Sequence, residues 1–295
     1  MSIVLNGKAI ADELTESVAL EINVIKKTNV RFSPRLAAVL VGGDAASKVY
    51  VRNKKRSAIS VGMEALDYYL PESITQNELE DYVVKLSEDA SVDGILVQLP
   101  LPGHIDQEKV IDSINPAKDV DGLHPYNVGL LVKGQPRFVP ATPAGVQHIL
   151  VKSGIEISGK HVVICGRSEI VGKPLGLLLM QRNKGANATV TICHSKTKNI
   201  QDITSQADIL IAAVGQQNFI KAGMVKQGAV VIDVGTNRIN DSSRKSGYRL
   251  VGDVDFENVK NVSSAITPVP GGVGPMTIAM LLKNTLESAK RKLNL

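Results

Sequence analysis

The sequence predicts an α/β protein made of two domains. Short apolar runs alternate with helical patterns along most of the chain, and this alternation is typical of parallel sheets covered by helices. A length of 295 residues is enough for two domains of ordinary size. Proline and glycine interrupt the pattern at "GQPRFVPATPAG", residues 134–145, so we place the domain boundary there.

Each predicted element of the first half follows from its local pattern. The predicted strands are residues 35–42, 64–70 and 94–100, and the predicted helices between them are residues 45–61 and 75–89. Asp44 is a suitable N-cap for the first of these helices, and Gly62 is a suitable terminator.

The second half contains apolar runs that are typical of strands buried on both faces of a parallel sheet. These predicted strands are residues 161–165, 188–193, 208–214, 229–235 and 264–269. The closing stretch, residues 277–293, is predicted to be an amphipathic helix with Pro275 near its first turn.

Composition limits the classes of partner. A net charge of +5 that is spread along the chain, without any tryptophan, favours an acidic small molecule over nucleic acid. No signal peptide or membrane span is predicted, so no membrane partner is expected. Two cysteines, Cys165 and Cys193, indicate buried thiols in a reducing compartment, and we expect a cytoplasmic protein.

The basic segment "SKVYVRNKKRSA", residues 47–58, divides its charges between two helix faces. At about 100° per residue, four cations fall within roughly 100° of one another, as on a solvated face. They are Lys48, Arg52, Lys55 and Arg56. Lys54 points elsewhere, towards uncharged neighbours, and Tyr50 lies one turn before it. Burial there would lower the lysine pKa and make a neutral amine accessible, although a lysine stem that covers apolar surface is the alternative.

A glycine turn between a strand and an apolar helix indicates a nucleotide site. Gly166 and Gly172 are six residues apart, with Arg167 and Ser168 between them, so the layout of a dinucleotide fingerprint is present although its spacing is not. Gly166 would make the tight turn, and Gly172 would let the helix N-terminus approach a phosphate. An ordinary strand-to-helix turn is the alternative.

The end of the next strand favours NADP over NAD. An NAD site usually has an acidic residue there to bind the ribose hydroxyls, whereas this strand is followed by His194, Ser195 and Lys196. Together with Arg167, these residues suit a 2′-phosphate.

Three long motifs carry a family resemblance: "DGILVQLPLPGHID" (93–106), "INPAKDVDGLHPYNVG" (114–129) and "ITPVPGGVGPMTIAML" (266–281). With "YVRNKKRS" and "GRSEIVGKP", they make the chain closely resemble the bifunctional methylenetetrahydrofolate dehydrogenase/methenyltetrahydrofolate cyclohydrolase family over residues 3–290. The resemblance implies NADP-dependent oxidation of methylenetetrahydrofolate and hydrolysis of the product to formyltetrahydrofolate, in one-carbon metabolism.

The resemblance also implies an architecture. A folate domain over residues 1–140, completed by the helix at 276–295, would face a Rossmann-type NADP domain over residues 141–275 across a cleft. The NADP domain would form a homodimer. Two departures from the family pattern are a longer polar insertion at 240–249, which should only lengthen a loop, and Leu123, where phenylalanine is common.

Site residues follow from the resemblance by position. The implied catalytic residues are Tyr50, Lys54, Gln98 and Asp121. The implied cofactor residues are Gly166, Arg167, Ser168, Gly172, Ser195 and Ile232. The implied folate-binding residues are Tyr50, Lys54, Val97, Gln98, Leu99, Asp121, Pro270, Gly271, Gly272 and Thr277.

Alternatives remain for several of these residues. Gln98 could be a satisfied strand-end amide instead of the group that orients Lys54. Asp119 and Asp121 could suggest a metal pair, but no third ligand has a suitable spacing, so no metal is expected. None of the five histidines is read as catalytic. An amino-acid dehydrogenase with a catalytic lysine and a folate-binding regulator with a decayed site are the rival functions.

Overall fold

The computed structural model describes residues 2–244 and 247–294. Helices in that part of the chain are α1 (Gly7–Thr28), α2 (Ala45–Ser60), α3 (Gln76–Glu88), α4 (Gln107–Asp112), α5 (Pro125–Val132), α6 (Ala141–Lys152), α7 (Gly172–Leu179), α8 (Ile200–Thr204), α9 (Phe256–Val259) and α10 (Val273–Lys292). Strands are β1 (Ile3–Val4), β2 (Arg35–Val41), β3 (Glu64–Leu70), β4 (Gly94–Val97), β5 (His161–Cys165), β6 (Thr189–Cys193), β7 (Ile209–Ala212), β8 (Val230–Asp233), β9 (Asn237–Asn240), β10 (Tyr248–Val251) and β11 (Ala265–Ile266).

The chain divides into two compact units. The first unit contains Asp12–Ala141 and the residues from Ile278 onwards, and the second contains the residues up to Ala11 together with Thr142–Thr277. The expected assignment of residues 1–140 to one domain is therefore wrong for the N-terminal segment. That segment joins the second unit because β1 pairs in parallel with β11. A strand of two residues gives too short a pattern to be read from sequence.

The first unit is built on a three-stranded parallel sheet in the order β3-β2-β4. Its interior is almost entirely aliphatic, and α10 completes one part of it by placing Leu282 and Leu286 against Val18 and Ile22 of α1. Asn284, on the same helix, donates from Nδ2 to the carbonyl oxygens of residues 120 and 139, at 2.8 and 3.0 Å. The closing helix is thus part of the core of the first unit.

The second unit contains a six-stranded parallel sheet in the order β1-β11-β8-β7-β5-β6. The chain moves outward from β5 to β6 and then returns to the other side of β5 for β7, β8 and β11, so the strand order reverses at β5. In doubly wound sheets, nucleotides bind outside the carboxyl ends of the strands at such a reversal. The predicted α/β class is confirmed.

Most predicted elements are confirmed, although some begin or end at other residues than expected. β4 stops at Val97 instead of residue 100, since Pro100 has no N–H to continue a ladder. Helix α10 begins at Val273, before the expected start, because proline is tolerated in a first helical turn. The insertion at 240–249 was expected to be only a loop, but it includes part of a hairpin in which β9 and β10 pair antiparallel. Strand β9 (NRIN) is mostly polar, so it lacks an apolar signal.

Both cysteines are buried free thiols, as predicted. Cys165 and Cys193 are register partners at the ends of β5 and β6. Burial raises the pKa of the Cys165 thiol to about 12, and the neighbouring thiol adds to this shift. Both side chains act as small apolar groups in the core.

Two buried carboxylates organise the carboxyl ends of β7 and β8. Asp253 accepts from the backbone N–H groups of Val214 and Gly215 at 2.7 and 2.9 Å. Asp233 accepts from the N–H groups of Gly235, Asp253 and residue 254 at 2.9 to 3.0 Å. Burial raises the pKa of Asp233 to about 7, against the lowering effect of these hydrogen bonds, and Asp253 raises it further.

This raised pKa predicts how stability varies with pH. An unfolded aspartate titrates near pH ~3.9, so between about pH 4 and pH 7 the folded protein binds more protons at Asp233 than the unfolded chain does. The unfolding free energy should therefore fall as pH rises through this window, by up to about 1.4 kcal/mol per pH unit. Asp233→Asn should remove this component of the slope. Urea unfolding of both proteins from pH 4.5 to 7.5 tests it, and identical slopes would contradict it.

Candidate active site and nucleotide site

Helix α2 has the boundaries and the faces that its sequence predicts. The Asp44 carboxylate accepts from Ser47 N at 2.7 Å, and Gly62 has a φ of +85°, which favours glycine. Three of the four cations expected on the solvated face are exposed: Lys48, Arg52 and Arg56. Lys55 differs, because it is half-buried and its Nζ lies 3.0 Å from Asp67 Oδ2.

Lys54 contacts Gln98 within the first unit. Lys54 is half-buried, and its Nζ donates to Gln98 Oε1 at 3.0 Å. The Gln98 amide nitrogen donates to Leu99 O at 2.7 Å, which fixes the orientation of the amide. The backbone N–H of Gln98 donates to Val39 O at 2.8 Å and anchors the residue to β2. This amide therefore presents its oxygen to the lysine.

Burial shifts the pKa values of Lys54 and Asp121 towards neutral forms. Burial lowers the pKa of the Lys54 amine, although the nearby Asp121 raises it. Burial likewise raises the pKa of the Asp121 carboxyl. The nearby Lys54 lowers this pKa, and the neighbouring Asp119 raises it. An amine whose pKa is lowered is neutral, and so able to accept a proton, over a wider range of pH.

Asp119 has a structural role that its sequence did not reveal. Its buried carboxylate accepts from the N–H groups of Leu123 and His124, at 3.2 and 2.9 Å, and from Asn127 Nδ2 at 2.8 Å. These three bonds hold the start of α5. Asp119 thus differs in environment from Asp121, for which no such set of bonds is found among residues 2–244 and 247–294.

The remaining predicted residues of the first unit lie at different depths. Tyr50 is 41% exposed, and no hydrogen bond joins it to Lys54 within the residues that the structure describes. Val97 is buried at the end of β4, and Leu99 is half-buried. The exposed ring of Tyr50 is available to a ligand.

The glycines after β5 are required by close backbone contacts. Gly166 has a φ of +128°, and a Cβ there would lie 2.1 Å from Ala213 O, in the loop after β7. A Cβ at Gly172 would lie 2.1 Å from Gly166 O. Ser168 Oγ accepts from Val171 N at 3.2 Å inside the same turn. The turn is thus packed against itself at the point where the strand order reverses.

The polar residues after β5 and β6 lie at one edge of the sheet. Because Cys165 and Cys193 are register partners, Arg167 and Ser195 each follow the end of one of two adjacent strands. Arg167 and Ser195 are exposed, while Ile232 is fully buried near the end of β8. Helix α7 begins at Gly172, and no side chain caps its N-terminus within the described residues.

The glycine-rich segment before α10 lies in the second unit. Gly271 has a φ of +101°, and its carbonyl accepts from Lys8 N at 2.9 Å. Gly272 is buried, and a Cβ there would lie 2.5 Å from Pro268 O. Pro270 is exposed, and the Thr277 hydroxyl lies 3.0 Å from that of Thr142. A folate contact for this segment stays a prediction.

Comparison with known proteins decides the family. The model of the tetrahydrofolate dehydrogenase/cyclohydrolase catalytic domain matches residues 5–121, and the model of the NAD(P)-binding domain of the same family matches residues 140–293. The chain belongs to this family. The resemblance predicted from the sequence motifs is confirmed, and the rival reading as an amino-acid dehydrogenase is set aside.

Members of the tetrahydrofolate dehydrogenase/cyclohydrolase family match the chain along its whole length. The "Bifunctional protein FolD" of Acetivibrio thermocellus is 53% identical over 97% of this chain and 96% of its own. The FolD crystal structure from Campylobacter jejuni is 46% identical, with a TM-score of 0.92 and 99% coverage of both chains. The Trypanosoma brucei FolD, complexed with NADP cofactor and an inhibitor, is 41% identical, with a TM-score of 0.94 and coverage of 100% of this chain and 99% of its own.

The contact between Lys54 and Gln98 makes a testable prediction about charge. Gln98→Glu would place a carboxylate where the amide oxygen now lies, 3.0 Å from Nζ, and would favour the charged amine. We expect the pKa of Lys54 to rise by about 1–3 units, the range for an opposite charge at this distance. NMR titration of isotopically labelled lysines measures it directly. Gln98→Met, which is neutral, is the control, and an unchanged Lys54 pKa in Gln98→Glu would contradict the contact.

Proposed function

We propose that the chain oxidises 5,10-methylenetetrahydrofolate to the methenyl form with NADP and hydrolyses that product to 10-formyltetrahydrofolate. Family membership supports both reactions. The observation that carries the assignment is the half-buried Lys54 amine, with a lowered pKa and a fixed partner in Gln98. Such an amine is a base that can work beside a cationic substrate.

Oxidation requires alignment more than acid–base assistance. The C–H bond of the methylene bridge breaks, its electron pair leaves as hydride, and a nitrogen lone pair forms the new C=N bond. NADP, when bound, accepts that hydride. Tyr50 contributes by packing on the substrate with its exposed ring. Val97 and Leu99 shape the adjacent end of β4, and Pro270, Gly271, Gly272 and Thr277 contribute further folate contacts.

Hydrolysis uses Lys54 as the base. The methenyl bridge is cationic, so a charged lysine beside it would be repelled, whereas a neutral amine is not. Lys54 takes a proton from water as the oxygen attacks the bridging carbon, and it returns that proton to the leaving ring nitrogen as the C–N bond breaks. The second proton of the water leaves the hydroxyl oxygen to solvent as the formyl C=O bond forms. Gln98 orients the lysine throughout. Asp121 accepts hydrogen bonds from the amino-pyrimidine end of the substrate.

The turn after β5 has features that suit the pyrophosphate of NADP. Gly166 and Gly172 permit close backbone packing, and α7 begins at Gly172 without a side-chain cap, so the positive end of the helix dipole can face an anion. Ser168 belongs to the same turn, and Ile232 lies near the carboxyl end of β8 in the same sheet. Arg167 and Ser195, after adjacent strands, bind the 2′-phosphate, so NADP is preferred to NAD.

We also propose a homodimer formed through the second unit, in the reducing environment of the cytoplasm. Two features support these proposals. Strand β6 is an edge of the six-stranded sheet and leaves backbone groups available for pairing, and Met180 of the same unit is 51% exposed. Both thiols are buried and free, as suits a reducing compartment. No helix among residues 2–244 and 247–294 is long and apolar enough to cross a membrane.

Lys54→Gln tests the base. The variant should lose cyclohydrolase activity by about 100-fold or more, which is the low end of the usual contribution of a general base. Hydride transfer should fall less, because the groups that align the substrate remain. NADPH and methenyltetrahydrofolate are followed together in one coupled assay. Arg56→Gln, an exposed cation on the same helix, is the control. A cyclohydrolase rate within a few-fold of wild type would remove Lys54 from this role.

Arg167→Ala tests the cofactor preference. Wild type should use NADP more efficiently than NAD, and the variant should lose roughly ten- to a hundred-fold in efficiency with NADP, as expected for a charge-assisted contact. Efficiency with NAD should change little, since NAD has no 2′-phosphate. The measurement is kcat/KM for both cofactors and Kd for NADP by calorimetry. Equal use of both cofactors by the wild type would refute the 2′-phosphate assignment.

A further inference from the structure

A pocket in the first unit lies away from the Lys54 site, between α2 and β3. Its cavity of about 340 Å³ is lined by Lys48, Arg52, Lys55, Asp67 and Tyr69. The three cations follow the spacing i, i+4, i+7, so they share one face of α2. Asp67 and Tyr69 are alternate residues of β3, so they share one face of the strand. β3 is an edge strand, so β2 is its single neighbour in the three-stranded sheet.

The charges in this pocket sum to an excess of two positive charges. The side chain of Asp67 is only 4% exposed, and its Oδ2 lies 3.0 Å from Lys55 Nζ, so these two residues neutralise each other. No ion pair is found for Lys48 or Arg52 within residues 2–244 and 247–294. Both of these side chains are exposed and line the pocket. The pocket therefore suits a dianion.

One carboxylate oxygen of Asp67, a residue that lines the pocket, lacks a hydrogen-bond donor. Asp67 Oδ2 accepts from Lys55 and, at 3.4 Å, from the Tyr69 hydroxyl, but Asp67 Oδ1 is buried and has no hydrogen-bond partner in the part of the chain that the structure describes. A buried carboxylate oxygen without a donor is costly, and a ligand that donates to it would offset that cost. Tyr69 is 57% exposed and lines the same pocket, so its ring offers an apolar face to a ligand there.

We propose that this pocket binds a free phosphorylated metabolite, a phosphate monoester with neighbouring hydroxyl groups. A phosphate monoester carries about −1.5 to −2 charges at neutral pH, which matches the excess of Lys48 and Arg52. A hydroxyl group of the ligand donates to Asp67 Oδ1, and its carbon skeleton packs on Tyr69. The ligand is separate from the folate substrate, because Arg52 lies about 160° around α2 from Lys54.

Calorimetric titration with ribose 5-phosphate tests the proposal. NADP is kept saturating, so that the probe cannot bind at the 2′-phosphate position. We expect saturable binding to the wild type, weakened roughly tenfold or more in Arg52→Gln through loss of charge-assisted contacts. Arg56→Gln, an exposed cation of the same helix outside the pocket, should bind like wild type. The same affinity in wild type and Arg52→Gln, or no binding at 10 mM probe, would overturn the proposal.

A second variant tests Asp67. Asp67→Leu removes both oxygens and the negative charge, so binding of inorganic phosphate should strengthen while the preference for ribose 5-phosphate over inorganic phosphate should shrink. An unchanged preference in a variant that melts cooperatively would overturn the assignment of Asp67. Finally, saturating tetrahydrofolate should leave ribose 5-phosphate binding unaltered. Displacement of the probe by the folate would instead assign the pocket to the acidic tail of the substrate.

Discussion

The first unit depends, for its chemistry, on one amine held in an environment that disfavours its charge. Lys54 lies on a helix that must also keep several cations in water, and the helix manages both because its faces differ. Gln98 gives the amine an acceptor without giving it a negative charge. A carboxylate in that position would favour the ammonium form, whereas an apolar side chain would leave the N–H groups without a partner.

The two units use carboxylates in contrasting ways. In the first unit, Asp119 accepts hydrogen bonds from three donors and holds the start of α5. Asp121, two residues later, interacts electrostatically with Lys54. In the second unit, Asp233 and Asp253 hold backbone N–H groups beside the expected nucleotide position. Neighbouring acidic residues in a motif can thus have different roles, and their hydrogen-bond and electrostatic partners distinguish these roles.

Local patterns were sufficient to predict much of this structure. The faces of α2 follow from the helical period, and buried strands follow from apolar runs, because both depend on residues that are close in sequence. Contacts between distant residues could not be predicted in this way. Nothing near Asp253 indicates that it binds Val214, 39 positions away, and the mostly polar β9 carries no sign of its pairing with β10. The site motifs were found through the family resemblance, whereas the contacts of their side chains could be identified only from the folded structure.

The path of the chain between the two units has a consequence for synthesis. Residues up to Ala11 belong to the second unit, and residues from Ile278 onwards, with Leu282 and Leu286, belong to the first. During synthesis, β1 must therefore wait for a strand that is made more than two hundred residues later, and the first unit lacks part of its core until α10 emerges. Vectorial folding, in which an N-terminal domain finishes before the next begins, is not open to this protein.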